Sequence, residues 1–268
     1  MPKQRLASST PFMIAETEGN IGWMIFNNPD KHNAVKAEMW EAIPQILDTF
    51  EANDAVKGVV LKGAGEKAFI SGADISEFEQ VRSSESATKH YEDIADTATD
   101  RLYSCTKPTI AMIRGYCIGG GAGIAVSCDL RIATEASRFG IPAAKLSVGY
   151  RYGGIRKLVD LVGPSAAKDI FFTARQVPAP EALTMGLINR MVPDQELEAI
   201  VQDYCQSIGA NAPLTITAVK QIVGQISKPG GFDQALCEQL VENCFSSEDY
   251  IEGRRAFMEK RKPVFKGH

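Results

Sequence analysis

Short apolar runs of strand length alternate with longer amphipathic stretches through about residue 200, and then the strands stop. This order constrains the fold more than composition does. Strands that alternate with helices build an α/β sheet, much of it parallel. Residues 12–18 and 21–27 are apolar-rich runs separated by Gly19-Asn20, which predicts a hairpin. Residues 36–51 carry Met39, Ile43, Ile46, Leu47 and Phe50 at helical spacing, with Pro44 expected to kink the helix. Residues 56–61 (VKGVVL), 109–113 and 130–133 read as strands, and 122–128 as a short apolar helix. Residues 83–102 are charged and polar and also read as a helix. From Leu197 onward, 197–208, 214–226, 232–245 and 250–260 read as helices with no strand between them. The expected organisation is a core over 1–196 and a helical region over 197–268. Such a region either packs back on its own core or builds an oligomer.

Composition narrows the functional classes. A chain of 268 residues can bury a large core, and 44% hydrophobic with 23% charged residues is ordinary for a soluble globular protein. A net charge of −4 argues against a nucleic-acid or membrane-surface role, since both favour a basic footprint. The six cysteines form no C-x-x-C pair and there are three histidines, so no metal site is expected. Scattered cysteines imply reduced, mostly buried thiols and a reducing compartment. The opening MPKQRLASSTPF has no signal-like apolar run, and no segment approaches the ~20 apolar residues of a membrane span. A cytoplasmic protein is expected.

Two glycine-containing loops carry the chemical signal. One is Ser71-Gly72-Ala73-Asp74 within 68–75, soon after VKGVVL. The other is Ile118-Gly119-Gly120-Gly121-Ala122-Gly123, which follows a strand and opens a helix. Glycine lets a backbone come close to a ligand. A helix start offers unpaired N–H groups and a partial positive charge, so this junction can hold a developing oxyanion. Tight turns that serve packing alone are the competing explanation. A nucleotide-phosphate loop is excluded, because the run is not G-x-x-x-x-G-K-[ST]. It also lacks the context of a G-x-G-x-x-G dinucleotide fingerprint.

Taken together and in order, these segments resemble the crotonase (enoyl-CoA hydratase/isomerase) family. Asn28-Pro29-Asp30-Lys31-His32-Asn33-Ala34-Val35 resembles its N-x-P-x-x-x-N-A-[LM] segment. Residues 68–75 resemble its A-F-x-A-G-A-D-[IL] loop, and 115–121 its G-x-[AC]-x-G-G-G loop. Residues 164–174, 181–192 and 247–262 are similar to its later helices and its E-G-x-x-A-F-x-E-K-R-K ending. The resemblance implies a crotonase-like fold of repeated ββα units with a C-terminal helical trimerisation region, giving a homo-trimer or a hexamer. It implies an acyl-CoA thioester as partner, with coenzyme A as part of the substrate and no separate cofactor. Ala73 and Gly120 would supply the two oxyanion N–H groups. His32, Ala34, Ser71, Gly72, Asp74 and Ile75 would line the coenzyme A path, with Ile118, Pro142 and Ala143 nearby. Phe257 and Lys260 fall where the family often contacts the nucleotide end, sometimes from a neighbouring subunit.

The sequence departs from the family's hydratases at both acids. One catalytic glutamate of those enzymes aligns with Gly123, and the other, in F-G-x-P-E, aligns with Ala143 of Phe139-Gly140-Ile141-Pro142-Ala143. Hydration needs one group to deprotonate water and one to protonate the α-carbon, and neither glycine nor alanine does this. Loss of CO₂ makes an enolate without a strong base, so decarboxylation remains open. Methylmalonyl-CoA decarboxylases of the family carry a tyrosine that aligns with Tyr150, but a histidine where this chain has Ala73. Tyr150 and Tyr152 also suit half-buried packing. Arg151 suits a surface ion pair. Asp74, with Glu77 three residues on, suits a helix cap. Three functions follow: an acyl-CoA enzyme, a non-catalytic acyl-CoA-binding protein, and an RNA-associated interaction protein, which the acidic balance disfavours.

Overall fold

A computed structural model describes residues 3–74, 84–228 and 230–268. The predicted hairpin forms: β2 (Met13–Glu18) pairs antiparallel with β3 (Ile21–Phe26), with β1 (Gln4–Leu6) on its outer edge. Gly19 turns the chain at φ 60°. Helix α1 (Ala37–Glu51) follows and continues through Pro44. Its apolar face, including Met39, Ile43, Ile46, Leu47 and Phe50, is buried.

The chain then takes three similar steps. Each has a strand, a short second strand and a helix. The first comprises β4 (Gly58–Gly63), β5 (Ala68–Ile70) and α2 (Glu85–Tyr103). The second comprises β6 (Thr109–Ile113), β7 (Tyr116–Ile118) and α3 (Gly120–Ser127). The third comprises β8 (Leu130–Thr134), β9 (Arg138–Gly140) and α4 (Tyr152–Thr173), which is broken by a kink at Gly163 (φ 75°, ψ 166°). The first strand of each step joins one sheet, of order β1-β2-β3-β4-β6-β8-β11, where β11 is Arg190–Val192. The second strands form another sheet of order β10-β9-β7-β5, where β10 is Val177–Pro178. From β3 onward the large sheet is parallel, and β5, β7 and β9 are parallel to one another. The small sheet is the departure from the sequence reading, which placed loops at 68–75 and 115–123.

The large sheet is covered on both faces, which explains its unbroken apolar runs. Val59, Leu61, Ala111 and Ile113 point into one core shared with α1, α2 and α3. Val60, Ile110, Met112 and Ile132 point into a second core closed by Leu197, Val201 and Cys205 of α6 (Leu197–Gly209). Helix α5 (Ala179–Thr184) links β10 to β11. Helices α7 (Pro213–Ile226), α8 (Gln234–Phe245) and α9 (Glu248–Met258) complete the chain. Among the described residues no helix is long and apolar enough to cross a membrane. All six cysteines are free thiols. Burial pushes the Cys105 thiol up to about 11 and those of Cys128 and Cys205 up to about 12.

One buried cation stabilises the second step. Arg131 on β8 is 2% exposed and donates to the Cys128 and Leu187 carbonyls at 2.8 Å and to Asn189 Oδ1 at 3.2 Å. Cys128 is the C-terminal cap of α3, so the guanidinium satisfies a helix end and opposes its dipole.

Helix α2 is tied to α1 by charge. Arg101 donates to Glu51 and to Asp48, and Glu51 also accepts from the Thr106 N–H and hydroxyl at 2.5 and 2.6 Å. Partial burial works against the Glu51 charge, but the hydrogen bonds from Arg101 and Thr106 outweigh it. They hold the carboxyl down at about 2, against 4.5 for a free glutamate. A depressed folded-state value means the stabilisation is complete above about pH 4.5 and is lost as pH falls through 2. Urea unfolding should therefore give a midpoint that drops between these pH values. The drop should be smaller in Glu51→Gln, and equal acid sensitivity in both proteins would contradict this assignment.

Candidate active site

The three strands of the small sheet end side by side, and the site grows from their C-terminal ends. Ala68 pairs with Tyr116 and Ile70 with Cys117, while Ile118 pairs with Gly140. This register sets Ser71-Gly72-Ala73, Gly119-Gly120 and Ile141-Pro142-Ala143 along one edge. All eight residues line one cavity of about 230 Å³. Gly119 adopts φ 56° and ψ −114°, a conformation open to glycine, and donates to the Gly140 carbonyl at 2.8 Å. The helix α3 begins at the next residue, Gly120, two residues earlier than sequence periodicity predicts.

Two residues lining this edge, Ala73 and Gly120, have backbone N–H groups with no acceptor among the described residues. Ala73 forms an isolated parallel bridge with Val35, in which Val35 N–H donates to Gly72 O and Asp74 N–H donates to Val35 O. The Ala73 N–H takes no part in that pairing. Gly120 is the first residue of α3, where intrahelical acceptors do not exist, and the first helical bond is from Gly123 to Gly119 at 3.0 Å. Both residues are half-buried. Two such donors at one edge, one of them at a helix N-terminus, can bind a developing negative oxygen.

The walls are mostly apolar: Trp40, Ala95, Ile118, Ile141, Leu146 and Val148. Helix α2 contributes Tyr91, Glu92, Asp96 and Thr99. The Trp40 indole donates to the Tyr91 hydroxyl at 2.9 Å and so joins α1 to α2 at the wall. Helix α4 and the turn before it add Tyr150, Arg151, Gly154 and Lys157. The Tyr150 ring packs edge-on against Phe171, centroids 5.0 Å apart, so this tyrosine both packs and borders the cavity. The Arg151 guanidinium donates to Asp93 and Asp96, each at 2.8 Å, and these hydrogen bonds push its ionisation up. It is a surface ion pair that ties α4 to α2.

The predicted residues divide clearly. Ser71, Gly72, Ala73, Ile118, Gly120, Pro142, Ala143 and Tyr150 all line the cavity. His32, Ala34 and Asp74 do not. They form the adjoining support, where the His32 carbonyl accepts from Ser71 N–H at 3.1 Å and Ala34 is buried. Asp74 is buried, and its carboxylate accepts from Lys31 Nζ at 3.0 Å. Ile75 and Glu77 lie outside the described residues. Phe257 and Lys260 are exposed at the end of α9 and are not brought to the cavity within this chain. Sequence reasoning missed the α2 wall. Tyr91, Ala95 and Thr99 recur at four-residue spacing, which is the signal that would have found it.

Positions 123 and 143 bear on the chemistry. Both line the cavity. A Cβ built on Gly123 would meet no atom within 4 Å. Ala143 is 7% exposed. The cavity therefore has room at 123 for a longer side chain, and its polar groups come from other elements.

Comparison with known proteins agrees with this architecture. Residues 16–268 match the Enoyl-CoA hydratase/isomerase family. A short-chain-enoyl-CoA hydratase of Clostridium acetobutylicum is 35% identical over 252 residues, covering 93% of this chain and 95% of the relative. The crystal structure of an enoyl-CoA hydratase/carnithine racemase from Magnetospirillum magneticum superposes with a TM-score of 0.93 at 34% identity, covering 97% of each chain. The enoyl-CoA hydratase of Bacillus anthracis superposes with a TM-score of 0.89 at 28% identity, covering 96% of this chain and 100% of that one. The fold is thus the crotonase fold, and its ββα steps are those seen here. The chain belongs to the enoyl-CoA hydratase/isomerase family.

Proposed function

We propose that the protein binds an acyl-CoA thioester with its carbonyl oxygen between the Ala73 and Gly120 N–H groups, and that it stabilises the enolate formed there. The observation that carries this reading is the pair of N–H groups, without an acceptor among the described residues, at the edge of a largely apolar cavity. One such donor contributes about 10²–10³ in rate when charge develops on the oxygen. Ser71, Gly72, Asp74, His32 and Ala34 then act by holding the first loop, and coenzyme A enters as part of the substrate. The relatives named as enoyl-CoA hydratases support the substrate class.

The reaction is not two-glutamate hydration. Gly123 and Ala143 occupy the cavity where those carboxylates are expected, and a general acid or base contributes about 10²–10⁴ each. Decarboxylation or another enolate step needs the oxyanion donors and a polar group opposite them. Tyr150 borders the cavity and is our candidate for that group. A non-catalytic acyl-CoA-binding protein is the remaining alternative.

Calorimetry should detect coenzyme A thioesters and much weaker binding of free adenine nucleotides. Crotonyl-CoA hydration should be slow or absent in the natural chain, and should rise at least about 100-fold in the Gly123→Glu, Ala143→Glu double variant. No affinity for any acyl-CoA would end the assignment. Fast hydration by the natural chain would move the acid–base role to Glu92 of the α2 wall.

Once an acyl-CoA panel has identified a substrate by mass change, Tyr150→Phe tests the tyrosine. A lost hydrogen bond to a charged group should lower kcat/KM by about 1–3 kcal/mol. Unchanged kinetics would leave Tyr150 with its packing against Phe171 alone.

We further propose a homo-trimer, or a hexamer of two trimers, assembled through the C-terminal helices. Val223, Ile226, Phe232, Phe245, Phe257 and Met258 are all exposed in the single chain. An apolar face of this extent marks an interaction surface. Sedimentation at micromolar concentration should give a trimer or hexamer, and a monomer would contradict this.

A further inference from the structure

Gly119, Gly120 and Gly121 stand in a row, and glycine leaves a backbone the most freedom to move. Two of the three are held by the strand ends around them. Gly119 donates to the Gly140 carbonyl at 2.8 Å, and a Cβ built on it would lie 3.6 Å from the Gly72 Cα. Gly121 abuts Ile70, whose Cβ would be 2.7 Å from an added Cβ. Gly120 is different. A Cβ there would meet only Trp40, 3.1 Å from ring atom Cζ2 and 3.6 Å from Cη2. Outside its own helix and chain neighbours, no other described atom comes within 4 Å of that position. The benzo edge of the Trp40 indole thus covers the one glycine of the three that the strand ends leave unsupported.

The ring is itself held from another element. Trp40 on α1 is 3% exposed, and its indole has a single donor. The Tyr91 hydroxyl on α2 accepts that bond at 2.9 Å. Tyr91 is 8% exposed, and both side chains line the cavity. Turning the ring away would leave a buried N–H without its acceptor, which is costly. The hydrogen bond therefore selects one ring orientation among those that packing alone allows. A line of contacts runs from α2 through Tyr91 and Trp40 to Gly120. Support of this kind decides whether a donor meets developing charge or misses it. The competing explanation is that Tyr91 only satisfies a buried indole, which predicts an effect on stability and none on a bound carbonyl.

We propose that Trp40 and Tyr91 are positioning residues, the hydrogen-bonded indole fixing Gly120 so that its N–H meets the thioester oxygen. This rests on the acyl-CoA reading above. Two ligands isolate the carbonyl: hexanoyl-CoA, and hexyl-CoA, the thioether in which a methylene replaces it. The ratio of their affinities by calorimetry cancels any change in the walls that both share. In the wild type hexanoyl-CoA should bind about fivefold or more tighter than hexyl-CoA, the worth of a hydrogen bond. Infrared difference spectra should show its isotope-labelled carbonyl stretch falling in frequency on binding. Tyr91→Phe should bring the ratio to about twofold or below and shrink the frequency shift. Tyr91→Gln, which keeps an acceptor, should retain part of both. Trp40→Phe keeps a ring without the donor and should lose both, so it carries the test if Tyr91→Phe does not fold. Thermal unfolding establishes which variants are folded. A ratio and frequency shift kept at wild-type size in folded Tyr91→Phe or Trp40→Phe would overturn the proposal, whatever happens to the melting temperature. A wild type that binds no thioester, or binds both ligands equally with no frequency shift, would instead remove the acyl-CoA reading itself.

Discussion

The site depends on how closely α3 approaches β5. A Cβ at Gly121 would sit 2.4 Å from the Ile70 carbonyl oxygen and 2.7 Å from the Ile70 Cβ. Real atoms do not tolerate such contacts, so any side chain there would push the helix off the strand. Glycine removes the obstacle, and the N-terminus of α3 settles against the end of β5. Gly119 makes the preceding turn at positive φ, and its own N–H is spent on Gly140. What remains at the edge is the Gly120 N–H beside the loop that carries Ala73. The placement of these N–H groups is thus a consequence of backbone packing.

The ββα step explains why these pieces meet. Each step advances one position in the large sheet and one in the small sheet, since β4, β6 and β8 are neighbours and so are β5, β7 and β9. Residues far apart in sequence are therefore delivered to one edge at the ends of parallel strands. The helices of the same three steps then close the cavity. Helix α3 gives the N–H and Ser127, α2 gives Tyr91 and Thr99, and α4 gives Lys157. The large sheet supports this arrangement because it is buried on both faces, leaving it little freedom to shift.

Much of this was legible in the chain. The hairpin, α1 and β6 follow from periodicity, because each buries a face against something large. The last three helices follow from helical spacing, although their apolar residues stay mostly unburied in the single chain. The strands of the small sheet were not legible. Ala68–Ile70, Tyr116–Ile118 and Arg138–Gly140 have three residues each, too short to display a period of two. Their pairing is a property of the whole fold. The cavity edge formed by Ala73 and Gly120 could be named from the glycine loops and the family resemblance. The acyl walls could not, because Glu92 and Thr99 sit on polar helical stretches where a cavity-facing residue looks like a solvated one.

The separation of backbone from side-chain chemistry bears on what this enzyme can become. The Ala73 and Gly120 donors belong to the main chain, so substitutions that respect packing leave them in place. Carboxylates are different, since one substitution removes each. On the proposed function, a scaffold with Gly123 and Ala143 would keep thioester polarisation and lose the two carboxylates that move protons to and from water. Such a site still lowers the barrier of a reaction that generates its own enolate. The bond that breaks is then selected by what the rest of the acyl group meets in the cavity. On that reading the choice falls to Tyr150 and the α2 wall, side chains outside the loops that carry Ala73 and Gly120. The proposed function therefore assigns reaction and substrate identity to the helices, and activation of the thioester to the strand ends.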